Sequence, residues 1–190
     1  MRTIPVTSFC AVLAGIMGTT AFAALESGKP SPALTIQQVS GPPIQLSQYK
    51  GKVVLLAFID TNCPHCQALT GVLNNIVKQY EPKGVQVVAC AMNDHAKDLI
   101  PQFVQQYHPA FPVGYCTQDQ VYGYTQFSVA AGKPFYVPHV VFLDRRGIIR
   151  GDFPGEDPFM TKPDINIPTK LDELLKSGTV SNARKAPPKE

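Results

Sequence analysis

A strand pattern that leads directly into two cysteines constrains the fold of this chain more than any other feature. Val53–Ile59 is a continuous apolar run of the length expected for a strand buried on both faces. Cys63-Pro64-His65-Cys66 follows four residues after its end, and residues 67–80 then carry apolar side chains at helical spacing. We therefore predict an α/β domain with the cysteines at a strand-to-helix junction.

The rest of the chain alternates between strand and helix patterns. The turn residues Gly41-Pro42-Pro43 predict an N-terminal hairpin, and Asp144-Arg145-Arg146-Gly147 predicts a second hairpin near the C-terminal end. The predicted strands are 34–36, 44–46, 53–59, 85–92, 111–115, 137–143 and 148–153, and the predicted helices are 67–80, 97–107, 120–127 and 169–176, the last ending at Gly178. This order predicts a mixed central sheet flanked by helices, without internal repeats.

The N-terminus has the pattern of a secretory signal. Arg2 supplies a positive charge, residues 9–17 are apolar, and Ala21-Phe22-Ala23 fits a small-x-small cleavage site. The apolar stretch is too short for a convincing membrane span. We expect cleavage after Ala23 and export to the periplasm or another extracytoplasmic space, without stable membrane insertion; an uncleaved anchor is the alternative.

These patterns divide the chain into four parts. Residues 1–23 are the predicted signal peptide, 24–33 a polar tether, 34–178 the folded domain and 179–190 a disordered tail rich in proline and lysine. The formal net charge is only +3, and loss of Arg2 lowers it by one. That charge is too small to indicate nucleic acid as a partner. We also expect the protein to be a monomer.

Two cysteines at this spacing can form half of a metal site or a redox dithiol. A structural zinc site needs about two further ligands at compatible spacing, and the chain has no second CxxC pair. At a helix N-terminus, unpaired N–H groups and the helix dipole stabilise a thiolate. We therefore expect a redox dithiol that uses no metal and no cofactor, in which Cys63 attacks a substrate disulfide and Cys66 resolves the mixed disulfide.

Residues 46–56 and 61–66 together resemble the bacterial TlpA/ResA-like thiol-disulfide oxidoreductases, close to the AhpC/TSA redoxin superfamily. The resemblance covers residues 30–177, approximately. It implies a thioredoxin fold with an added N-terminal hairpin and one extra strand–helix insertion, and an enzyme that exchanges disulfides with protein thiols and a redox partner protein. It also implies that Val137 and Pro138 form a cis-proline loop that faces the dithiol and binds the substrate backbone.

The chain departs from that family pattern near the dithiol. TlpA-like reductases carry Trp before the first cysteine and an acidic residue three positions after the second, where this chain has Asn62 and Leu69. Thioredoxin has a buried Asp at the position of Ala57. We therefore identify no inherited proton acceptor for Cys66, and we interpret Asp60 as a solvated or turn residue.

Pro64 and His65 instead resemble the DsbA-like oxidants. A histidine between the cysteines would stabilise the Cys63 thiolate and make the disulfide more oxidising. The scaffold therefore resembles a reductase while the active-site dipeptide resembles an oxidant, and the direction of electron transfer stays open.

Two other functions fit part of the pattern. A peroxiredoxin-like thiol peroxidase has Thr three residues before its cysteine, whereas Thr61 lies two residues before Cys63. An SCO-like copper-binding protein, which is not an enzyme, uses CxxxC and a histidine, whereas this chain has CxxC. His139 either starts a strand or joins the two cysteines as a metal ligand.

Two further cysteines lie near the C-terminal ends of two predicted strands. We expect Cys90 and Cys116 to be two buried thiols that pack as small apolar side chains. A second disulfide is the alternative, but its geometric requirements are strict.

Overall fold

Seven strands and four helices alternate along residues 25–183, the part of the chain that the computed structural model describes. The strands are β1 (Thr35–Ile36), β2 (Ile44–Gln45), β3 (Val53–Ile59), β4 (Val85–Ala91), β5 (Val113–Tyr115), β6 (His139–Leu143) and β7 (Ile149–Phe153). The helices are α1 (Pro64–Tyr80), α2 (Ala96–Tyr107), α3 (Gln118–Thr125) and α4 (Pro163–Ala183). Every predicted strand and helix is present, and the bounds of α4 differ most from the prediction.

Five of the strands form a mixed sheet in the order β5-β4-β3-β6-β7. β3, β4 and β5 are parallel, whereas β6 is antiparallel to both of its neighbours. All seven residues of β3 are buried, as expected for a central strand covered on both faces. Because Phe58 pairs with His139, the C-terminal end of β3 lies beside the N-terminal end of β6, at the same end of the sheet.

The two faces of the sheet have separate apolar cores. Alternation along β3 places Leu55 in the core beneath α1, α2 and α4, and Leu56 in the core beneath α3 and the β1–β2 hairpin. Ile100 and Leu171 belong to the first core, and Ile36 belongs to the second. Each such side chain contributes about 1.5–3 kcal/mol when it is fully buried. The predicted α/β sandwich is therefore confirmed.

The segment predicted to be a polar tether is packed against the sheet over its described part, 25–33. Leu25 is buried in the core beneath α3. The Gly28 N–H donates to the Ile149 carbonyl at 2.8 Å, and the Ile149 N–H donates to the Lys29 carbonyl at 2.9 Å. These bonds satisfy backbone groups on the outer edge of β7 that would otherwise lack partners. The folded region therefore begins before residue 34.

The same N-terminal stretch reaches the other edge of the sheet at Gln37. Its N–H donates to the Tyr115 carbonyl at 2.9 Å, and the Tyr115 N–H donates to the Gln37 carbonyl at 2.8 Å. Gln37 thus extends the sheet beyond β5, directly after the buried residue Ile36 of the hairpin.

Helix α4 begins six residues earlier than predicted and continues past Gly178. Pro163 suits the first position of a helix because proline has no N–H to leave unpaired. A glycine inside a helix costs about 1 kcal/mol relative to alanine but does not have to end it. Residues 179–183, predicted to be disordered, are therefore helical. Residues 184–190 of the predicted tail and the predicted signal peptide 1–23 lie outside the described residues. Between residues 25 and 183, no helix has both the length and the apolar character required to cross a membrane.

Candidate active site

Cys63 lies at the N-terminal end of α1 and is half-buried. Its backbone is extended, with φ −77° and ψ 119°, and its carbonyl accepts the N–H of Gln67 at 3.0 Å as a first helical hydrogen bond. Pro64 occupies the first helical position, where its fixed φ is favourable. The Cys63 sulfur is therefore beside the unpaired N–H groups of the first turn of the helix.

Cys66 lies three residues further along α1 and is fully buried. Its sulfur accepts the N–H of Asp60 at 3.4 Å. Burial strongly raises the pKa of the Cys66 thiol, the Asp60 hydrogen bond acts in the opposite direction, and the neighbouring Cys63 adds to the rise. The pair therefore consists of a reachable sulfur and a protected, protonated sulfur, and neither is in a disulfide.

The loop before β6 brings the backbone of Val137 to the dithiol. The Val137–Pro138 peptide bond is cis, as predicted. The Val137 carbonyl oxygen lies 4.0 Å from the Cys63 sulfur. Gly155, which follows β7, packs against this loop, and its N–H donates to the Tyr136 carbonyl at 3.4 Å.

A polar contact that the sequence analysis missed holds the loop between β3 and α1. The Thr61 N–H donates to Asn93 Oδ1 at 3.0 Å, and Asn93 Nδ2 donates to Thr61 Oγ1 at 2.9 Å. Gln67 Nε2 donates to the Thr61 carbonyl at 3.0 Å. The sequence could have identified Asn93 as a partner of Thr61. Each residue lies two positions after the end of its strand, and β3 and β4 are parallel neighbours whose C-terminal ends lie side by side.

The polar residues Asp60 and His65, next to the cysteines, are more exposed than Cys66. The Asp60 carboxylate accepts the Asn62 N–H at 2.7 Å, so Asp60 is the turn residue that the sequence predicted. His65 is exposed, and within the described region it has no hydrogen bond or ion pair to Cys63 or to another side chain. The proposed tuning role of His65 therefore remains a prediction.

His139 starts β6 and is buried on the sheet face opposite the dithiol. Its ring contacts Phe58 edge-on at 6.1 Å and stacks on Phe135 at 5.1 Å. Its Nε2 lies 2.5 Å from Asp152 Oδ1. The structure therefore does not bring His139 to the two cysteines as a third ligand. Across the described residues, no three His, Cys, Asp or Glu side chains are grouped so that they could hold a metal ion.

Cys90 and Cys116 form a disulfide, so the expectation of two buried thiols is wrong. Cys90 pairs with Gly114 across the parallel strands β4 and β5, and Cys116 lies two residues beyond Gly114. The two Cα atoms are 6.2 Å apart, which is within the range of protein disulfides. Strand register decides this contact, and the sequence pattern does not specify register between these two strands.

Comparisons with known proteins match this architecture. The sequence profile of the Redoxin family matches residues 26–166. The thiol-disulfide oxidoreductase ResA of Bacillus cereus is 31% identical over 109 residues, which are 54% of this chain and 62% of that protein. The thiol-disulfide oxidoreductase ResA of Geobacillus kaustophilus is 27% identical over 142 residues, which are 75% of each chain.

A solved structure supports the fold independently. A thiol:disulfide interchange protein of the thioredoxin family from Chlorobium tepidum superposes with a TM-score of 0.64 at 18% identity, covering 79% of this chain and 98% of that one. This likeness establishes the thioredoxin fold. The chain spans 62% of the length of the Bacillus cereus relative. Since the Redoxin profile covers most of the described residues, including both cysteines and the cis-proline loop, the resemblance found in the sequence is confirmed and the chain belongs to the Redoxin family.

Proposed function

We propose that this protein is an exported thiol–disulfide oxidoreductase that acts on polypeptide substrates through Cys63 and Cys66. The asymmetry of the two sulfurs carries the proposal. Cys63 is half-buried at a helix N-terminus beside the Val137 carbonyl, whereas Cys66 is fully buried one turn later. A reachable sulfur suits the first attack, and a protected sulfur suits the second step within the protein.

The reaction follows from this arrangement. In the reducing direction, the Cys63 thiolate attacks one sulfur of a substrate disulfide, the substrate S–S bond breaks, and the other substrate sulfur leaves as a thiolate that takes up a proton. Cys66 then loses its proton and attacks the Cys63 sulfur, which releases the second substrate thiol and forms the Cys63–Cys66 disulfide. Two electrons pass from the protein to the substrate. The same steps in reverse oxidise a substrate dithiol.

The surroundings of Cys66 define what the second step requires. Burial disfavours the Cys66 thiolate and raises the pKa of this thiol, so deprotonation is costly while the dithiol is at rest. The Asp60 N–H, 3.4 Å from the sulfur, stabilises the thiolate as it forms. This cost favours completion of the mixed disulfide at Cys63 before Cys66 reacts.

Substrate binding is proposed for the loop that contains Val137 and Pro138. An extended substrate chain that passes Cys63 can donate an N–H to the Val137 carbonyl, which is a strand-addition mode of recognition. Pro64 and His65 are proposed to tune the reduction potential of the dithiol, and the direction of electron transfer depends on that potential. A redox partner protein would restore the starting state of the dithiol.

Export is supported by two separate features. Ala21-Phe22-Ala23 has the pattern of a signal cleavage site. The Cys90–Cys116 disulfide is of the kind that persists in oxidising compartments and is rare in the cytosol. Protein produced in an exporting bacterial host should therefore have an intact mass that begins at Ala24, and a mass that retains residues 1–23 would indicate an uncleaved anchor.

Trapping of mixed disulfides tests the assigned roles. Cys63→Ser should abolish the reduction of insulin disulfides and form no mixed disulfide with substrate. Cys66→Ser should accumulate mixed disulfides, because the resolving step is lost. The opposite result, with trapping by Cys63→Ser alone, would contradict the roles. Assays of peroxide consumption and metal content on the same preparations test the peroxidase and copper-binding alternatives. The hydroxyl of Thr61, which the peroxidase would need, already accepts a hydrogen bond from Asn93 Nδ2.

A further inference from the structure

A cavity of about 370 Å³ adjoins the cis-proline loop on the face of β6 opposite the dithiol. Phe127, Phe135 and Tyr136 form much of its wall. Tyr136 and His139 both line it, and these two residues flank the Val137–Pro138 peptide. The cavity therefore adjoins both ends of the loop whose Val137 carbonyl oxygen lies 4.0 Å from the Cys63 sulfur.

The charged groups that line the cavity are mainly acidic. The residues Asp152, Glu156 and Asp157 contribute carboxylates, against one lysine, Lys133, and the hydroxyl side chains Thr125, Ser128 and Tyr136 also line it. His139 is only 4% exposed, and its Nδ1 has no hydrogen-bond partner within the described part of the chain.

The aromatic walls and the carboxylates together favour a positively charged side chain that has an apolar stem and only hydrogen-bond donors at its end. Arginine meets this requirement better than lysine, because its planar guanidinium stacks on aromatic rings and donates several hydrogen bonds. An acidic side chain would instead face the carboxylates of Glu156 and Asp157. The cavity is large enough for one long side chain.

We propose that this cavity is a specificity subsite for an arginine side chain of the polypeptide substrate. The inference rests on the proposed disulfide exchange at Cys63 and adds the substrate class. An extended chain advances about 3.3 Å per residue, and the cavity begins one residue to either side of the Val137–Pro138 pair. The arginine is therefore two or three residues from the reacting cysteine of the substrate.

The test measures reduction of the Cys63–Cys66 disulfide of the oxidised full-length protein by a series of reduced peptides with one cysteine; two peptide thiols supply the two electrons and leave as a peptide disulfide. The peptides carry Arg, Lys, Leu or Glu two or three residues from that cysteine on either side. Each rate constant is divided by the rate constant of the same peptide with oxidised glutathione, because a nearby charge alters the reactivity of the peptide thiol itself. We expect the corrected rate for the best Arg peptide to exceed that for the matching Glu peptide about fivefold or more, with Lys between them.

Removal of two carboxylates tests whether the cavity is responsible. In the double variant Glu156→Gln, Asp157→Asn, the Arg-to-Glu ratio should fall at least about threefold. Asn at position 157 can still accept the Phe159 N–H that Asp157 accepts, so the local turn is preserved. The matched control is Glu81→Gln, an exposed carboxylate in the short 3-10 helix after α1, and it should keep the ratio of the unmodified protein.

The outcomes separate this inference from the proposed function. Equal corrected rates for Arg and Glu peptides, or an unchanged ratio in the double variant, would overturn the subsite while exchange at Cys63 stands. If the Cys63–Cys66 pair exchanges with neither the peptides nor glutathione, the proposed function fails and the subsite with it. A ratio that is present in the unmodified protein and the Glu81→Gln control, and reduced in the double variant, supports both.

Discussion

Gly155 lies directly against the Val137 carbonyl group. A Cβ atom at residue 155 would come within 3.2 Å of both the carbon and the oxygen of that carbonyl, closer than most side-chain carbons approach a neighbour. The same oxygen lies 4.0 Å from the Cys63 sulfur. The loop after β7 therefore sets the position of the loop that we propose binds the substrate backbone.

Gly155→Ala should displace Val137 and weaken substrate binding. The added methyl group must push the backbone of the loop, because the atoms it meets belong mainly to the main chain. Crowding of this kind costs about 1–3 kcal/mol, so we expect KM for a peptide disulfide to rise about threefold or more. Steady-state kinetics with such a peptide measures it.

The matched control is Gly71→Ala in α1, where a Cβ would meet no atom within 4 Å. There alanine should leave KM unchanged and stabilise the helix by about 0.5–1 kcal/mol. An unchanged KM in Gly155→Ala would show that the contact with Val137 does not control binding.

Alkylation should distinguish the two active-site thiols. Burial both blocks access to Cys66 and raises the pKa of its thiol, whereas Cys63 is half-buried. The protein that begins at Ala24 lacks Cys10. At about pH 8, near the ordinary thiol pKa, iodoacetamide should therefore add one group to this folded, dithiol-reduced protein, at Cys63, and a second group after unfolding. Peptide mass mapping identifies the sites. Modification of Cys66 in the folded protein at a similar rate would contradict the assigned asymmetry.

The raised pKa of Tyr124 should lower the free energy of unfolding at high pH. Burial raises the pKa of Tyr124 to about 12, the hydrogen bond with Ser31 acts in the opposite direction, and the Asp152 charge adds to the rise. The ordinary tyrosine pKa is about 10, so ionisation stabilises the unfolded chain first. The contribution of Tyr124 is therefore complete below about pH 10 and is lost as the pH rises toward 12.

We expect this loss to reach about 1 kcal/mol at pH 11. Urea unfolding at pH 8, 10 and 11 measures it, and Tyr124→Phe should remove that part of the pH dependence. Tyr136→Phe is the control, because Tyr136 is exposed and no hydrogen bond of its side chain is present in the described region. Identical slopes for the unmodified protein and Tyr124→Phe would contradict the assignment.

His65→Ala should lower the reduction potential of the dithiol. We propose that the imidazole between the cysteines stabilises the Cys63 thiolate, so its removal should favour the disulfide. Because His65 is exposed, we expect a shift below about 30 mV, the equivalent of about 1.4 kcal/mol. A glutathione redox titration of both proteins measures the shift, with His108→Ala as a control remote in sequence. A potential that is the same in all three proteins would show that His65 does not tune the site.

The sequence was sufficient where structure depends on local pattern. The apolar run of β3 predicted its bounds correctly, and the strand-to-helix junction predicted the positions of Cys63 and Cys66. Helix α1 starts at Pro64 and not at residue 67 as predicted. Proline suits the first position of a helix, because its fixed φ fits the helix and its missing N–H would have no partner there.

Contacts between distant segments were not predictable in the same way. The Cys90–Cys116 disulfide depends on the register of β4 and β5, and the contact of His139 with Asp152 depends on the pairing of β6 with β7. Gly155 looks like an ordinary turn glycine in the sequence, since its requirement arises from a backbone that lies 18 residues earlier, at Val137. Alternation and propensity carry no information about such partners.

The N-terminal stretch that follows the predicted signal peptide bonds to both outer strands of the central sheet. Residues 28–31 pair with residues 147–149 at the start of β7, and Gln37 pairs with Tyr115 at the end of β5, so one short segment bonds to both outermost strands. Exposed strand margins are sites where chains associate side by side and aggregate. A truncated protein that starts at residue 38 would lose both pairings and the buried side chains of Leu25, Leu34 and Ile36 at once. Solubility and stability, rather than redox chemistry, therefore set how much of this stretch must accompany the domain when it is produced or fused to another protein.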